Sequence, residues 1–245
     1  MISQDDRGLL LGDGLFETML AVDGVLPYLP AHLDRMAAGC AVLNLPFERS
    51  QAERLVREAA PAAGRFAVRL TLTAGSGGRG LDRPAAPVPR LFATAAPTAP
   101  PTAPAALIVA ETRRNEGSPT ARLKTLAYLD SVLARAEARA AGADEAVMLN
   151  NRGEVACAAA ANLFWIEGGR LFTPRLDCGV LAGITRARLM ASRPVEEVAV
   201  GIQALERADA VFLTNSLIGA RPVSRLGDRT FGEHPLAGEV RVLLA

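Results

Sequence analysis

Residues 122–130 read RLKTLAYLD, and Lys124 is the only lysine among 27 basic residues; the other 26 are arginines. As solvated surface cations the two side chains are equivalent, but a guanidinium stays protonated at any working pH. A desolvated amine can lose its proton, attack a carbonyl and form a Schiff base. A strong arginine habit explains the scarcity of lysine but not why this position keeps one. Lys124 is therefore the first candidate for chemistry, as a catalytic amine.

Three other stretches carry residue types suited to a phosphate-bearing ligand. In LAGITRARL, Gly183, Ile184 and Thr185 open a helix and expose backbone N–H groups, with Thr185 adding a hydroxyl. In TNSLIGARP, Thr214, Asn215 and Ser216 end an apolar strand, where they would equally serve a turn. In AHLDRM, Arg35 follows His32 by three residues and shares its helix face, as an anion ligand or as a solvated arginine. GEVACAAAANLFW sets four alanines after Cys157 where bulky strand formers are expected. They make room for a flat group or for a closely packed helix.

These groups must be held by a chain whose composition is that of a soluble globular protein. Half of its 245 residues are hydrophobic and its formal net charge is +1, which leaves no global basic field for nucleic acid. No window reaches the ~18 uninterrupted apolar residues of a membrane span. MISQDDRGLL carries acids where a signal peptide needs a basic region, so cytoplasm is the expected location. Cys40, Cys157 and Cys178 are odd in number and widely spaced, which suggests neither a disulfide framework nor a zinc site. With only His32 and His234, a histidine-rich metal centre is excluded and no metal is expected.

The segment APTAPPTAPA, 96–105, has four prolines and reads as an extended connector. It divides the chain into an N-terminal domain, 1–104, and a C-terminal domain, 105–245. In the first, ETMLAVDGVLPYL predicts two strands around the Asp23-Gly24 turn. AHLDRMAAGCAVLNL aligns Leu33, Met36, Ala37, Cys40 and Leu43 as one helical stripe. SQAERLVREAA predicts a helix with Ser50 as N-cap and Glu53 completing a capping box. RFAVRLTLTAG and PRLFATAA read as strands flanking the glycine-rich GSGGRG. In the second domain AALIVAE is a strand, and TLAYLDSVLARAEARAAGA is a long helix with Leu126, Leu129, Leu133 and Ala136 on its apolar side. Lys124 falls just before or within the first turn of that helix, an unfavourable end for a cation. Short strands follow at DEAVMLN, EVACA, NLFWIE and RLFTP. A helix after Gly183, the strand VEEVAV, a short helix and the strand ADAVFLTN complete the pattern. With no regular βαβ repeat, the class is α+β.

Taken in order, DRGLLLGDGLFET, HLDRM, GSGGRG, RLKTLAYL, ADEAVMLN, ANLFW, LAGITR and TNSLIGARPV resemble the fold-type IV pyridoxal-phosphate enzymes. That family includes branched-chain and D-amino-acid transaminases and aminodeoxychorismate lyases. The resemblance implies a smaller N-terminal α/β sandwich and a barrel-like C-terminal α+β domain, with pyridoxal 5'-phosphate between them and a homodimer completing each site. The lysine of the family's KTL-type segment, which forms the Schiff base, corresponds to Lys124. The phosphate ligands correspond to Arg35, to Gly183, Ile184 and Thr185, and to Thr214, Asn215 and Ser216. Candidates for substrate contact are Phe16, within GDGLFET, and Arg113 or Arg114, close in sequence to Lys124. One position departs from the family: its members carry a glutamate five residues before the Asn of NLF, where it pairs with the protonated pyridine nitrogen. Here that position is Cys157. Glu154 lies three residues earlier on the strand, faces the other side and does not replace it.

GSGGRG and the NSL of TNSLIGARPV look more like the lyases than the transaminases. The resemblance then implies conversion of 4-amino-4-deoxychorismate to 4-aminobenzoate and pyruvate, toward folate. The alternatives are a transaminase of D- or branched-chain amino acids, for which the missing glutamate is awkward, and a non-catalytic homologue that only holds the cofactor.

Overall fold

The protein is described by a computed structural model covering residues 2–78 and 80–244. Arg79, inside the GSGGRG stretch, lies outside the described residues. The chain divides into two compact units: Met1–Ala99 with Leu123–Ala127, and Pro100–Arg122 with Tyr128–Ala245. The lysine segment thus packs with the N-terminal unit, which a single cut after residue 104 does not convey.

The first unit runs α1 (Arg7–Leu11), β1 (Gly14–Val22), α2 (Leu29–Val42), α3 (Arg49–Ala59), β2 (Arg65–Thr73) and β3 (Arg90–Pro97). The strands form an antiparallel sheet in the order β1-β2-β3. Alternation on β1 and β2 sends Leu15, Met19, Ala21, Val68, Leu70 and Leu72 to one face. There they meet Leu33, Met36 and Cys40 of α2 and Ala52 and Val56 of α3, a sheet covered by two amphipathic helices. Two local expectations change. After the Asp23-Gly24 turn, with φ of 48° and 77°, the return strand amounts to a single bridge between Val22 and Val25. At α3 the N-cap is Glu48 without a side-chain bond; Ser50 lies inside the helix and Glu53 pairs with Arg57 instead of closing a capping box.

The second unit runs β4 (Ala105–Val109), α4 (Leu129–Ala140), β5 (Glu145–Leu149), β6 (Val155–Ala158), β7 (Asn162–Glu167) and β8 (Arg170–Pro174). It continues with α5 (Ile184–Ser192), β9 (Glu196–Val198), α6 (Gln203–Arg207), β10 (Ala210–Asn215), β11 (Gly219–Leu226), β12 (Arg229–Thr230) and α7 (Pro235–Leu243). Its mixed nine-stranded sheet has the order β6-β5-β4-β11-β10-β7-β8-β9, with β12 on β11. Leu163, Trp165, Val211 and Leu213 enter one core with Leu107, Val147 and Val223. Their neighbours Phe164, Ile166 and Phe212 enter another with Leu189 of α5 and Val240 of α7. Both faces are therefore covered, which is why NLFWIE and AVFLTN read as nearly unbroken apolar runs. The mixed sheet with helices on both faces is an α+β fold.

The long helix is shorter and turned over relative to its sequence pattern. It begins at Leu129, so Lys124 is five residues outside it, and the helix-dipole argument loses its basis. Its buried side is Ser131, Ala134 and Ala138, packed with Ala146, Met148 and Ala159. Leu129, Val132 and Leu133 point outward. Small residues let the helix lie close to β5, leaving the leucines on the far side.

Candidate active site

In the first unit, residues 124–126 pair along the edge of β1 that β2 does not use. Phe16 N–H donates to the Lys124 carbonyl at 2.9 Å and Leu126 N–H to the Gly14 carbonyl at 3.0 Å. The glycines of GDG make this possible. Gly12 caps α1 with φ 66°, and a Cβ on Gly14 would collide with the Leu72 carbonyl oxygen. Lys124 Nζ sits 4.2 Å from the centroid of the Phe16 ring, and the Arg69 guanidinium lies 3.7 Å from the same centroid. Burial, helped by the Arg35 and Arg69 cations and opposed by Glu17, pulls the Lys124 amine down to about 8. A neutral amine is thus accessible near physiological pH, as a nucleophile or base requires.

Beneath this sheet, on the side covered by α2, Glu17 and His32 are each only 1 % exposed. Glu17 accepts from Arg35 Nε at 2.7 Å and Nη2 at 2.6 Å, and its second oxygen also meets His32 Nδ1 at 2.7 Å. These bonds outweigh the cost of burial and hold the Glu17 carboxyl below its ordinary range. Arg35 is therefore not the freely solvated arginine of the sequence alternative. A separate clamp fixes the glycine-rich stretch: Arg7 donates to Asp13 and to the Leu81 and Asp82 carbonyls, and Arg83 also grips Asp13.

In the second unit, α5 begins at Ile184 with Gly183 as an N-cap that supplies no side-chain bond. A Cβ on Gly183 would run into Asn162 Oδ1, so a larger residue there would have to displace the asparagine amide. Asn162 donates from Nδ2 to the Leu181 carbonyl and is the cross-strand partner of Thr214. Thr214 is 0 % exposed and its hydroxyl has no hydrogen-bond partner among the described residues. An uncapped helix start and an unpartnered buried hydroxyl, bridged by Asn162, fit an anion held by neutral donors. Thr185 is buried in the first turn. Asn215 is occupied in building the turn that follows β10. Its Oδ1 accepts the Leu217 and Ile218 N–H groups, and its Nδ2 donates to the Ala160 carbonyl. Ser216 follows in that turn, partly exposed.

Cys157 lies on β6, buried, with its thiol pushed up by desolvation. Glu154 is engaged by Asn150 and Arg152, and Glu145 by Arg135 at 2.8 Å. Arg114 donates to the Gly179 carbonyl at 3.2 Å and to the Ala121 carbonyl, so its guanidinium ties loops together; Arg113 is exposed. The four-alanine run divides its roles, with Ala159 against the alanines of α4 and Ala158 in the core shared with β7 and β10. Sequence reading missed Glu17, Arg69 and Asn162. The available signals were a polar residue at an inward position of an apolar strand, Leu15-x-Glu17-x-Met19, and an arginine inside RFAVRLTLT. Among the described residues no cluster of three potential metal ligands exists, and no helix is long and apolar enough to cross a membrane.

The family model for amino-transferase class IV matches residues 14–226. The 4-amino-4-deoxychorismate lyase of Pseudomonas aeruginosa superposes with a TM-score of 0.90 at 32% identity, covering 100% of this chain and 94% of that one. The branched-chain aminotransferase of Thermoproteus uzoniensis gives 0.92 at 25% identity, covering 100% and 90%. An aminodeoxychorismate lyase of Vibrio harveyi is 30% identical over 236 residues, 89% of this chain and 85% of that protein. The chain belongs to the class IV aminotransferase family and is a pyridoxal-phosphate-dependent enzyme.

Proposed function

We propose that this enzyme is a lyase that converts 4-amino-4-deoxychorismate to 4-aminobenzoate and pyruvate. The observation that carries the choice of lyase over transaminase is the neutral, buried Cys157 thiol, with the nearby carboxylates Glu145 and Glu154 already paired. The cofactor, bound through Lys124, supplies an electron sink for the carbon that bears the substrate amine. A transaminase leans on a protonated pyridine to make that sink strong, and a thiol does not hold such a proton. Elimination needs less, because the ring becomes aromatic as it proceeds.

In this reading Lys124 Nζ, released when the substrate amine takes its place, takes the proton from the amine-bearing carbon. The adjacent carbon–oxygen bond breaks, and enolpyruvate leaves and is protonated to pyruvate. Phe16 packs the lysine and keeps water from it. Arg69, fixed on the other contact of the same ring, is the substrate-carboxylate cation of the first unit, ahead of Arg113 and Arg114. Arg35 is assigned to the cofactor phosphate, as are the α5 start at Gly183, Ile184 and Thr185 and the Thr214 hydroxyl. Asn215 and Ser216 shape the turn beside it.

A homodimer is part of the proposal: Leu9 and Leu10 on α1 are 66 % and 60 % exposed, and α4 displays Leu129, Val132 and Leu133. Three unpaired cysteines suit a cytoplasmic enzyme. The likeness to a branched-chain aminotransferase, with a TM-score of 0.92, keeps amino-group transfer as the second reading. Incubation with 4-amino-4-deoxychorismate should release pyruvate and 4-aminobenzoate in equal amounts. Absence of both products, alongside rapid transfer from a branched-chain or D-amino acid to 2-oxoglutarate, reverses the assignment.

A further inference from the structure

Every other inward residue of β1 around Glu17 is apolar: Leu15, Met19 and Ala21. A carboxylate buried in that row is costly unless it is paired and hydrogen-bonded. Here both oxygens are used on one turn of α2, by the Arg35 fork and by His32 Nδ1. A lone arginine on a helix samples many rotamers, whereas a fork–fork pair fixes its plane. The Nε–Nη2 edge is turned to Glu17, so the Nη1 corner is turned away from it. His32 presses on the same carboxylate oxygen that meets Nη2, which fixes the carboxylate plane in turn.

We propose that Glu17, held by His32, is a positioning residue that aims the Arg35 guanidinium at the cofactor phosphate. The inference rests on the assignment of Arg35 to that phosphate. Glu17 also balances charge around the reactive amine. The charged groups acting on Lys124 are Arg35 from α2, Arg69 from β2 and Glu17 from β1, and only Glu17 opposes the two cations. Removing its charge leaves them uncompensated.

The test titrates the full chain, freed of cofactor, with pyridoxal 5'-phosphate and with pyridoxal, which lacks the phosphate. Glu17→Gln keeps the shape but loses the charge. Its affinity for the phosphorylated form should fall about tenfold or more, with pyridoxal affinity changed less than about twofold. The apparent pKa of Lys124, followed by the pH dependence of its covalent link to pyridoxal, should also move downward. Equal weakening of both ligands, or an unchanged ratio, overturns the proposal. Arg35→Lys is the second variant: it keeps a cation but cannot form the fork, and its preference for the phosphorylated ligand should collapse. If Glu17→Gln does not fold, a wild-type ratio in Arg35→Lys overturns the proposal alone. Arg35→Ala separates the two layers. If it keeps the full preference for phosphate, the Arg35 assignment itself is wrong; if it loses the preference while Glu17→Gln keeps it, only the positioning role is.

Discussion

The first unit gathers ionised groups around its key residue, whereas the second presents neutral ones. Lys124 has two arginines and a buried glutamate acting on it, and its amine is lowered from the ordinary 10.5 to about 8. The second unit offers the α5 start, the Thr214 hydroxyl, the Asn162 amide and the Cys157 thiol. On the proposed function, the contrast follows from what each half would hold. An amine that must be neutral needs a field that disfavours its charge. An anion can instead be held by dipoles that add no net charge.

Replacing the amine itself should break this contrast most severely. Lys124→Arg keeps the cation but loses the group that can bond to an aldehyde, so borohydride should no longer fix cofactor to the protein. Turnover should fall by about three orders of magnitude or more. A variant that still acquires a reducible covalent link removes Lys124 from its role.

Lys124→Met probes the field without the chemistry. Holding the amine at about 8 against 10.5 in the unfolded chain disfavours the charged form. That penalty is about 3 kcal/mol. The penalty is complete below pH 8, where folded and unfolded chains both carry the proton. Between pH 8 and 10.5 the unfolded chain binds more protons, so wild-type stability rises with pH. Cofactor-free Lys124→Met should therefore be the more stable protein at pH 7, with the advantage shrinking by pH 10. Denaturant midpoints at the two pH values measure this; a difference independent of pH contradicts the shifted amine.

Cys157→Glu makes the second unit resemble the first by adding a charge. Before cofactor binds, the new carboxylate is buried and the thermal midpoint should drop. With cofactor present, the ratio of half-transamination of simple amino acids to elimination should rise by about tenfold, roughly 1.4 kcal/mol. If the ratio stays flat, the strand position does not face the pyridine nitrogen.

How far these features could be read from the sequence depended on the range of the interactions behind them. Local periodicity placed α2 correctly, because Leu33, Met36 and Cys40 have one apolar face and one sheet to meet. The same rule inverted α4: its alanine face packs closely on β5, and its leucine face is exposed. Lys124 stood out by residue type alone, but its pairing with β1 is a contact between residues more than a hundred apart, which no window reveals. Glu17 was legible only as an acid among inward apolar residues. Arg114 was misleading for the opposite reason, since nearness in sequence to Lys124 says nothing about the loop carbonyls that occupy it.

The smallest expected effect belongs to Thr214. Its hydroxyl is buried without a partner among the described residues, a condition that costs about 1–2 kcal/mol when no ligand relieves it. Thr214→Val keeps the shape and removes the unmet group, so the cofactor-free protein should be unchanged or more stable by about 1 kcal/mol. Affinity for pyridoxal 5'-phosphate should nevertheless fall several-fold, while the Lys124 titration stays where it is, since no charge has been altered. That combination separates the neutral half of the comparison from the ionised half. A loss of stability in Thr214→Val would mean that the hydroxyl already has a partner, such as a buried water. In that case its orphaned state in the free protein is no argument for an anion at the start of α5.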